Sequence, residues 1–211
     1  MARGIQTSTQ TSTRGTPTKG EQTRRAILDA AIARFGRDGY RATSVADIAR
    51  DAKVGGTAPY AYFPNKEALF VAALDEDAAA VIEEGLTSVI ADPDILAWRE
   101  TVITKVVAVV RRHPLARRVL AGLEPDVTER IVDIPALAEL RKTCAERLAA
   151  EQLAGTVRRD IDPAPVANGI VVILLSLLRA VVQLGDSVVD LYKSDVAAVF
   201  AAALDPPADT A

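Results

Sequence analysis

Between Lys53 and Phe70 the chain reads KVGGTAPYAYFPNKEALF, and these residue types suit contact with another surface better than catalysis. Two glycines let a backbone come close to whatever it faces, and a tyrosine carries an apolar body with a polar tip. Residues that could run a reaction are sparse. Cys144 falls on an apolar stripe with Leu137, Leu140 and Leu148, which makes it a core thiol, and no base lies near it in sequence. His113 is the single histidine and sits in the run Arg111-Arg112-His113-Pro114. One histidine and one cysteine do not assemble a zinc site. Gly55-Gly56 lacks the preceding strand that a P-loop or a dinucleotide fingerprint needs. The acidic residues are scattered over helix-forming segments and read as solvated faces. No enzyme, cofactor or metal is therefore expected.

Composition sets the frame for those residues. A chain of 211 residues, 49% of them hydrophobic, has material for one or two domains with a real core. A single cysteine forms no internal disulfide and fits a reducing, cytoplasmic setting. Residues 1 to 23, MARGIQTSTQTSTRGTPTKGEQT, hold no early apolar run and read as a disordered polar arm without a secretory signal. The net charge of -3 conceals a split: residues 1 to 66 carry 11 Lys or Arg against 5 Asp or Glu, and residues 67 to 211 carry 14 against 23. A head at +6 on a body at -9 points to a polyanion-facing N-terminus, the alternative being a solvated helix face with a basic tail.

Periodicity supplies the elements. Ile27, Leu28, Ala31, Ile32 and Phe35 recur at three- and four-residue steps, predicting a first helix over Glu21 to Arg37 that Gly36 and Gly39 stop. Thr43 and Ser44 offer a cap, with Asp47 three residues beyond Ser44, for a short second helix ending near Ala52. A turn at Lys53 to Gly55 leads to a third short helix over Gly56 to Phe63, which Pro64 and Asn65 close. Two short helices behind a longer one make a helix-turn-helix, whose second short helix enters the major groove. Glycines at 55 and 56 would let that helix's N-terminus approach a phosphate. Pro59 is tolerated in a first turn, where amides have no intrahelical partner. Tyr60 and Tyr62 can reach phosphate or base edges or pack inward, and Phe63 is core.

The run from Thr23 to Phe70 resembles the DNA-binding domain of the tetracycline-repressor (TetR/AcrR) family of bacterial transcription regulators. The resemblance rests on Ala26-Ile27-Leu28-Asp29-Ala30-Ala31 with Phe35, on Gly39-Tyr40, on Thr43-Ser44-Val45 with Ile48-Ala49, and on Tyr60, Tyr62-Phe63, Asn65-Lys66 and Leu69. It implies an all-α homodimer whose larger C-terminal domain senses a ligand and which represses nearby genes until that ligand binds. Carried across, the family's roles make Thr43 and Ser44 phosphate contacts, put Gly55, Thr57, Ala58, Tyr60 and Tyr62 on the recognition helix, and make Lys66 a backbone contact. Lys53 stands where the family usually has glycine, so it must adopt a left-handed conformation, at a cost of about 1 kcal/mol, or the turn must differ. Gly55 replaces the usual serine cap. Gly56, Ala58 and Ala61 leave base readout to Thr57, the tyrosines and DNA shape.

The expected organisation is an arm over 1–20, a helix-turn-helix domain over 21–66, an effector-binding and dimerisation domain over 67–205 and a tail over 206–211. In the body the pattern predicts a fourth helix from Lys66 to about Ile90 and a fifth from Ile95 to Arg112. Short pieces broken by Gly122, Pro125 and Pro135 follow, then a helix over Ala136 to Leu153. The segment Val166 to Leu184 is apolar all round, so it must be covered all round, by its own domain and by a second chain. As a membrane span it is borderline in length and carries Asn168, Arg179 and Gln183. Ile170, Ile173, Leu174, Leu177 and Val181 are the expected dimer contacts, with Val188 to Leu204 as a partner helix. Trp98 and Val102 are candidate lining residues for a pocket that takes a hydrophobic or weakly polar effector, the alternative being that Trp98 is core. The partners expected are thus a near-palindromic operator duplex, a small molecule and a second copy of the chain. An architectural DNA-binding protein without a ligand is the other reading, and a body at -9 speaks against it.

Overall fold

The computed structural model describes residues 18–87, 104–124, 133–185 and 187–207, and among them the chain is all helical. The first helix, α1 (Lys19–Ala42), begins with a capping box: the Glu21 amide donates to Thr18 Oγ1 at 3.3 Å while the Thr18 amide donates to the Glu21 carboxylate at 2.6 Å. Ile27, Leu28, Ala31 and Phe35 form its buried face. It does not stop at Gly36 as the pattern predicts. Gly36 stays helical because its bare Cα lets Pro114 lie against it; a Cβ there would sit 2.6 Å from the proline ring. The path breaks at Gly39, whose φ of 85° suits glycine, and resumes to Ala42.

Ser44 caps α2 (Val45–Asp51) by accepting from the Asp47 amide at 3.1 Å, and Val45, Ile48 and Ala49 are buried as their spacing predicts. The turn after it is made by Lys53 in the left-handed conformation, φ 57°, so the lysine bears the strain and the turn is kept. The third element is tighter than the helix expected over Gly56 to Phe63: a 3₁₀ turn spans Ala58–Ala61. Its amides donate three residues back, Ala58 to Gly55, Tyr60 to Thr57 and Tyr62 to Pro59. A segment led by two glycines and interrupted by a proline has little helix propensity, which accounts for the short, tight spiral.

Asn65 caps α3 (Lys66–Ile82), which continues as a π-type turn over Glu83–Thr87. An aromatic cluster ties α3 to α1: the Phe70 ring meets Phe35 edge-on at 5.0 Å and Tyr40 at 5.1 Å. After it come α4 (104–110), α5 (Pro114–Leu120), α6 (Pro135–Ala154), α7 (Pro163–Leu184) and α8 (Ser187–Leu204). The expected starts of the fifth helix and the ends of the fourth lie outside the described residues. On α6 the stripe Leu137, Leu140, Cys144 and Leu148 is buried, and Gly155 at φ 83° ends the helix. Burial pushes the Cys144 thiol up to about 11, so it stays protonated at neutral pH.

The body packs α6 against α3 and α7, and α7 against α8, while α5 lies between α1, α3 and α7. By length and composition α7 could cross a membrane. Here Ala167, Ile170, Val171, Leu177, Leu178 and Val181 are buried within the chain's own core. One test of the α1–α5 contact is direct. Gly36→Ala forces a methyl into Pro114 and should lower unfolding stability by about 1–3 kcal/mol in chemical denaturation; an unchanged midpoint would mean that the two helices slide apart freely.

Candidate nucleic-acid interface

The head is held in shape by an arginine that periodicity does not single out. Arg34 on α1 donates from Nε to Asp51 at 2.6 Å and lies 3.8 Å from both Asp38 and Asp47, so one half-buried guanidinium joins α1 to both ends of α2. The hydrogen bond from Arg34 holds the Asp51 carboxyl below its usual range, and that from Ser44 does the same for Asp47. Arg50 pairs with Asp47 and Arg37 with Asp38, so much of the head's positive charge is matched locally. The Arg34–Asp38 spacing is a readable i,i+4 pair, whereas Asp51 is reached only through the turn between helices.

Ser44 is exposed at the head of α2, where it caps. Thr43 is turned inward: it is 2% exposed and its hydroxyl donates to the Gly39 carbonyl at 2.8 Å, which closes the kink in α1. Gly55 and Gly56 face open space, since a Cβ on either would meet nothing within 4 Å. No packing among the described residues requires them to be glycine. Thr57 is exposed, Ala58 half-buried and Tyr60 55% exposed, while Tyr62 is half-buried with its hydroxyl beside Gly20. Phe63 is buried as expected, beneath the Arg24 guanidinium 5.4 Å from its ring centre. Lys66 stands at the start of α3 with its ammonium 4.4 Å from the centre of the Tyr40 ring, which fixes where that charge is presented. Exposed Lys53 adds a cation at the turn.

Behind the head, α5 is pinned by two buried carboxylates. Asp77 of α3, 4% exposed, accepts from the Leu115 and Ala116 amides at 3.1 and 2.8 Å and is hydrogen-bonded with His113 Nδ1 at 2.8 Å. Glu124 accepts from the Tyr40 amide at 3.1 Å and from Arg118 Nε at 2.7 Å. The Arg118 and Glu124 side chains lie across Gly39 so closely that a Cβ there would be 2.5 Å from the guanidinium. The other side of α5 faces a cavity of about 90 Å³ in the body, walled by Leu74 and Val81 of α3, Val106 of α4, Val119 of α5, Leu140 of α6 and Leu178 of α7 among others. Trp98 and Val102 lie outside the described residues.

Of the residues expected at a dimer contact, Ile170, Leu177 and Val181 are buried inside their own chain. Ile173 and Leu174 are half-buried, and Leu174 lines the cavity. The large apolar side chains left outside on α7 and α8 are Val172, Leu184, Leu191, Tyr192 and Val199. An all-round apolar helix gives no sign in its sequence of which side faces its own core.

A short capped helix, a left-handed turn and a 3₁₀ turn, carried on a longer helix and set on a helical body, follow the layout of a helix-turn-helix DNA-binding protein. Residues 27–73 match the family described as bacterial regulatory proteins, tetR family. Over 49 residues it is 43% identical to YuxN of Bacillus subtilis (strain 168), an uncharacterised HTH-type transcriptional regulator; the match covers 23% of this chain and spans 17% of that relative's length. The fold is similar to a crystal structure from Mesorhizobium loti MAFF303099 described as a TetR-family transcriptional regulator, with TM-score 0.69 and 22% identity over 90% of this chain and 100% of that one. It is also similar to a protein from Saccharomonospora viridis, described as a transcriptional regulator, in complex with choline, with TM-score 0.60 and 18% identity over 87% of this chain and 98% of that one.

The Arg34 cluster generates a pH prediction. Carboxylates whose folded-state values are depressed contribute stability above their ordinary value near 3.8, and that contribution is lost as pH falls through the lowered folded values. Arg34→Met should therefore lower the thermal midpoint at pH 7 and flatten its fall between pH 5 and pH 3. A variant that loses as much on acidification as the wild type would show that the pairing does not hold α2.

Proposed function

We propose that this chain is a ligand-responsive transcriptional regulator, a repressor that binds a near-palindromic operator as a homodimer in the cytoplasm and is released by a small molecule. The observation that carries the ligand response is the double contact of α5. One side of this helix walls the cavity through Val119 and Leu120. Its N-terminus rests on Gly36 of α1 through Pro114, and the Arg118–Glu124 pair beyond it holds the kink at Gly39 and Tyr40. A molecule that enlarges the cavity displaces α5 and with it the base of the helix-turn-helix. An architectural protein without a ligand has no use for such a cavity, and an acidic body would not coat DNA.

The DNA contacts proposed are Ser44, Gly55, Thr57, Ala58, Tyr60, Tyr62 and Lys66, with Thr43 acting through the kink it closes. Open space at the two glycines fits a groove wall brought against the turn. Thr57 and Tyr60 are the exposed side chains able to meet base edges. The dimer face proposed is the outer side of α7 and α8, where Val172, Leu191, Tyr192 and Val199 stand exposed. Covering them with a second copy removes apolar surface from water on both chains and presents two heads to two half-sites.

Selection of bound duplexes from a random pool should return a near-palindrome, and no preference over random DNA would overturn the proposal. On the selected duplex, log K should fall with log salt. Lys66→Ala should reduce that slope by about one and weaken cognate and random DNA alike, whereas Thr57→Ala should cost more on the cognate site. Equal losses for both variants on both DNAs would remove Thr57 from base readout. For assembly, Leu191→Glu places a charge in the proposed contact and should convert a sedimenting dimer into a folded monomer; a wild type that is already monomeric at micromolar concentration would eliminate this interface.

A further inference from the structure

The cavity behind α5 has a composition that selects a ligand class. All 17 of its described lining residues are Ala, Val, Ile or Leu. None can donate or accept a hydrogen bond from its side chain, and none is aromatic. The ionisable groups nearby are already engaged: Asp77 with His113 and the α5 amides, and Glu84 with Arg112 at 2.9 Å. A carboxylate or ammonium entering the cavity would lose its hydration with no described side chain to replace it. A quaternary ammonium such as the choline bound by the S. viridis protein is recognised elsewhere by aromatic faces, and the described wall has none.

Size narrows the class further. The space of about 90 Å³ is below the roughly 150 Å³ of an apolar cavity that admits benzene. A rigid ring would have to part the helices to enter that space fully. A flexible chain can enter a methylene at a time, filling the existing space first. Ordered water competes poorly, because it needs two or more polar partners and the described lining side chains supply none.

We infer that the cavity takes the uncharged aliphatic chain of a small amphiphile, whose polar end stays outside the described wall. This deepens, and rests on, the reading of the body as effector-binding. Each added methylene buried there should tighten binding about fourfold until the cavity is full. Longer chains then press on α5.

Calorimetric titration of the full chain with n-alkanols from butanol to dodecanol tests this, with choline and benzoate as comparators. The expected result is one site per chain, affinity rising about fourfold per carbon and then levelling, and no displacement by choline or benzoate. Ala78→Phe and Val171→Phe fill the cavity from α3 and α7 respectively, and each should bring the levelling to a shorter chain length. A flat dependence on chain length, or choline or benzoate binding as tightly as octanol, overturns the inference; so does an unchanged levelling point in whichever of these variants folds. The two readings separate in an operator-release assay on the same protein. Alkanols that bind as expected without releasing DNA leave the ligand class standing and sink their role as inducers. A compound without an alkyl chain that releases DNA while alkanols fail to bind does the reverse.

Discussion

The position of α5 depends on a carboxylate that lies far from it in sequence, that of Asp77. A helix of seven residues, Pro114–Leu120, is too short to be stable by itself, and its first amides would be buried without partners against α3. Asp77 meets the Leu115 and Ala116 amides, leaving neither as an orphan donor. Proline at 114 removes a third amide from the count. Losing the carboxylate would expose the full desolvation cost of two buried N–H groups, of about 1–3 kcal/mol each. Everything downstream inherits this placement. Pro114 reaches Gly36 only because α5 starts where Asp77 holds it, and Glu124 reaches the Tyr40 amide only because α5 ends where it does.

The head sits on this platform with little freedom at its base and much at its tip. Arg34 locks α1 to α2, and Phe35, Tyr40 and Phe70 lock α1 to α3. Between those fixed elements the segment from Gly55 to Phe63 is anchored by buried Pro59 and Phe63, while its outer side holds two glycines in open space, an exposed threonine and an exposed tyrosine. Its backbone is set by the left-handed Lys53 and by successive three-residue hydrogen bonds. A lean segment on a rigid base presents backbone more than side chain, a surface better suited to the width and deformability of a groove than to a dense set of base-edge bonds.

How much of this could be read from sequence follows the range of the interactions. Local chemistry was legible. Ser44 caps α2, Asn65 precedes α3, Phe63 is core, and the stripe from Leu137 to Leu148 is buried, all within four residues of their partners or on one helix face. Gly36 was misread as a stop because its partner, Pro114, is remote, and a packing glycine and a terminating glycine look alike along the chain. The helix expected over Gly56 to Phe63 is a 3₁₀ turn because two glycines and a proline tip a balance that periodicity does not record. Thr43 carries the sequence of a cap residue, yet its hydroxyl is spent on the Gly39 carbonyl. The Asp77–His113 contact spans 36 residues and joins two side chains that look like a solvated acid and an isolated histidine.

The most apolar helix shows why the outer surface of the body was the hardest part to read. On α7, Ile170 and Val181 go to the chain's own core, while Val171, Leu174, Leu177 and Leu178 wall the cavity. Val172 is left outside beside polar Ser176 and Arg179. Three demands on one helix, core, cavity and outer face, each ask for aliphatic residues, so composition alone cannot separate them. The same crowding couples them physically. A helix that is packed on one side and walls a cavity on another cannot yield to a ligand without shifting its outer face. Any molecule that parts α5 from α7 therefore acts both on the head, through Gly36 and Tyr40, and on the surface where a second chain would sit. Coupling of about 1–3 kcal/mol between distant sites is ordinary. Here α5 and α7 offer a packed path for it at either end, and in the regulator proposed the effect is reciprocal: DNA held at the head would resist the opening of the cavity by the same factor.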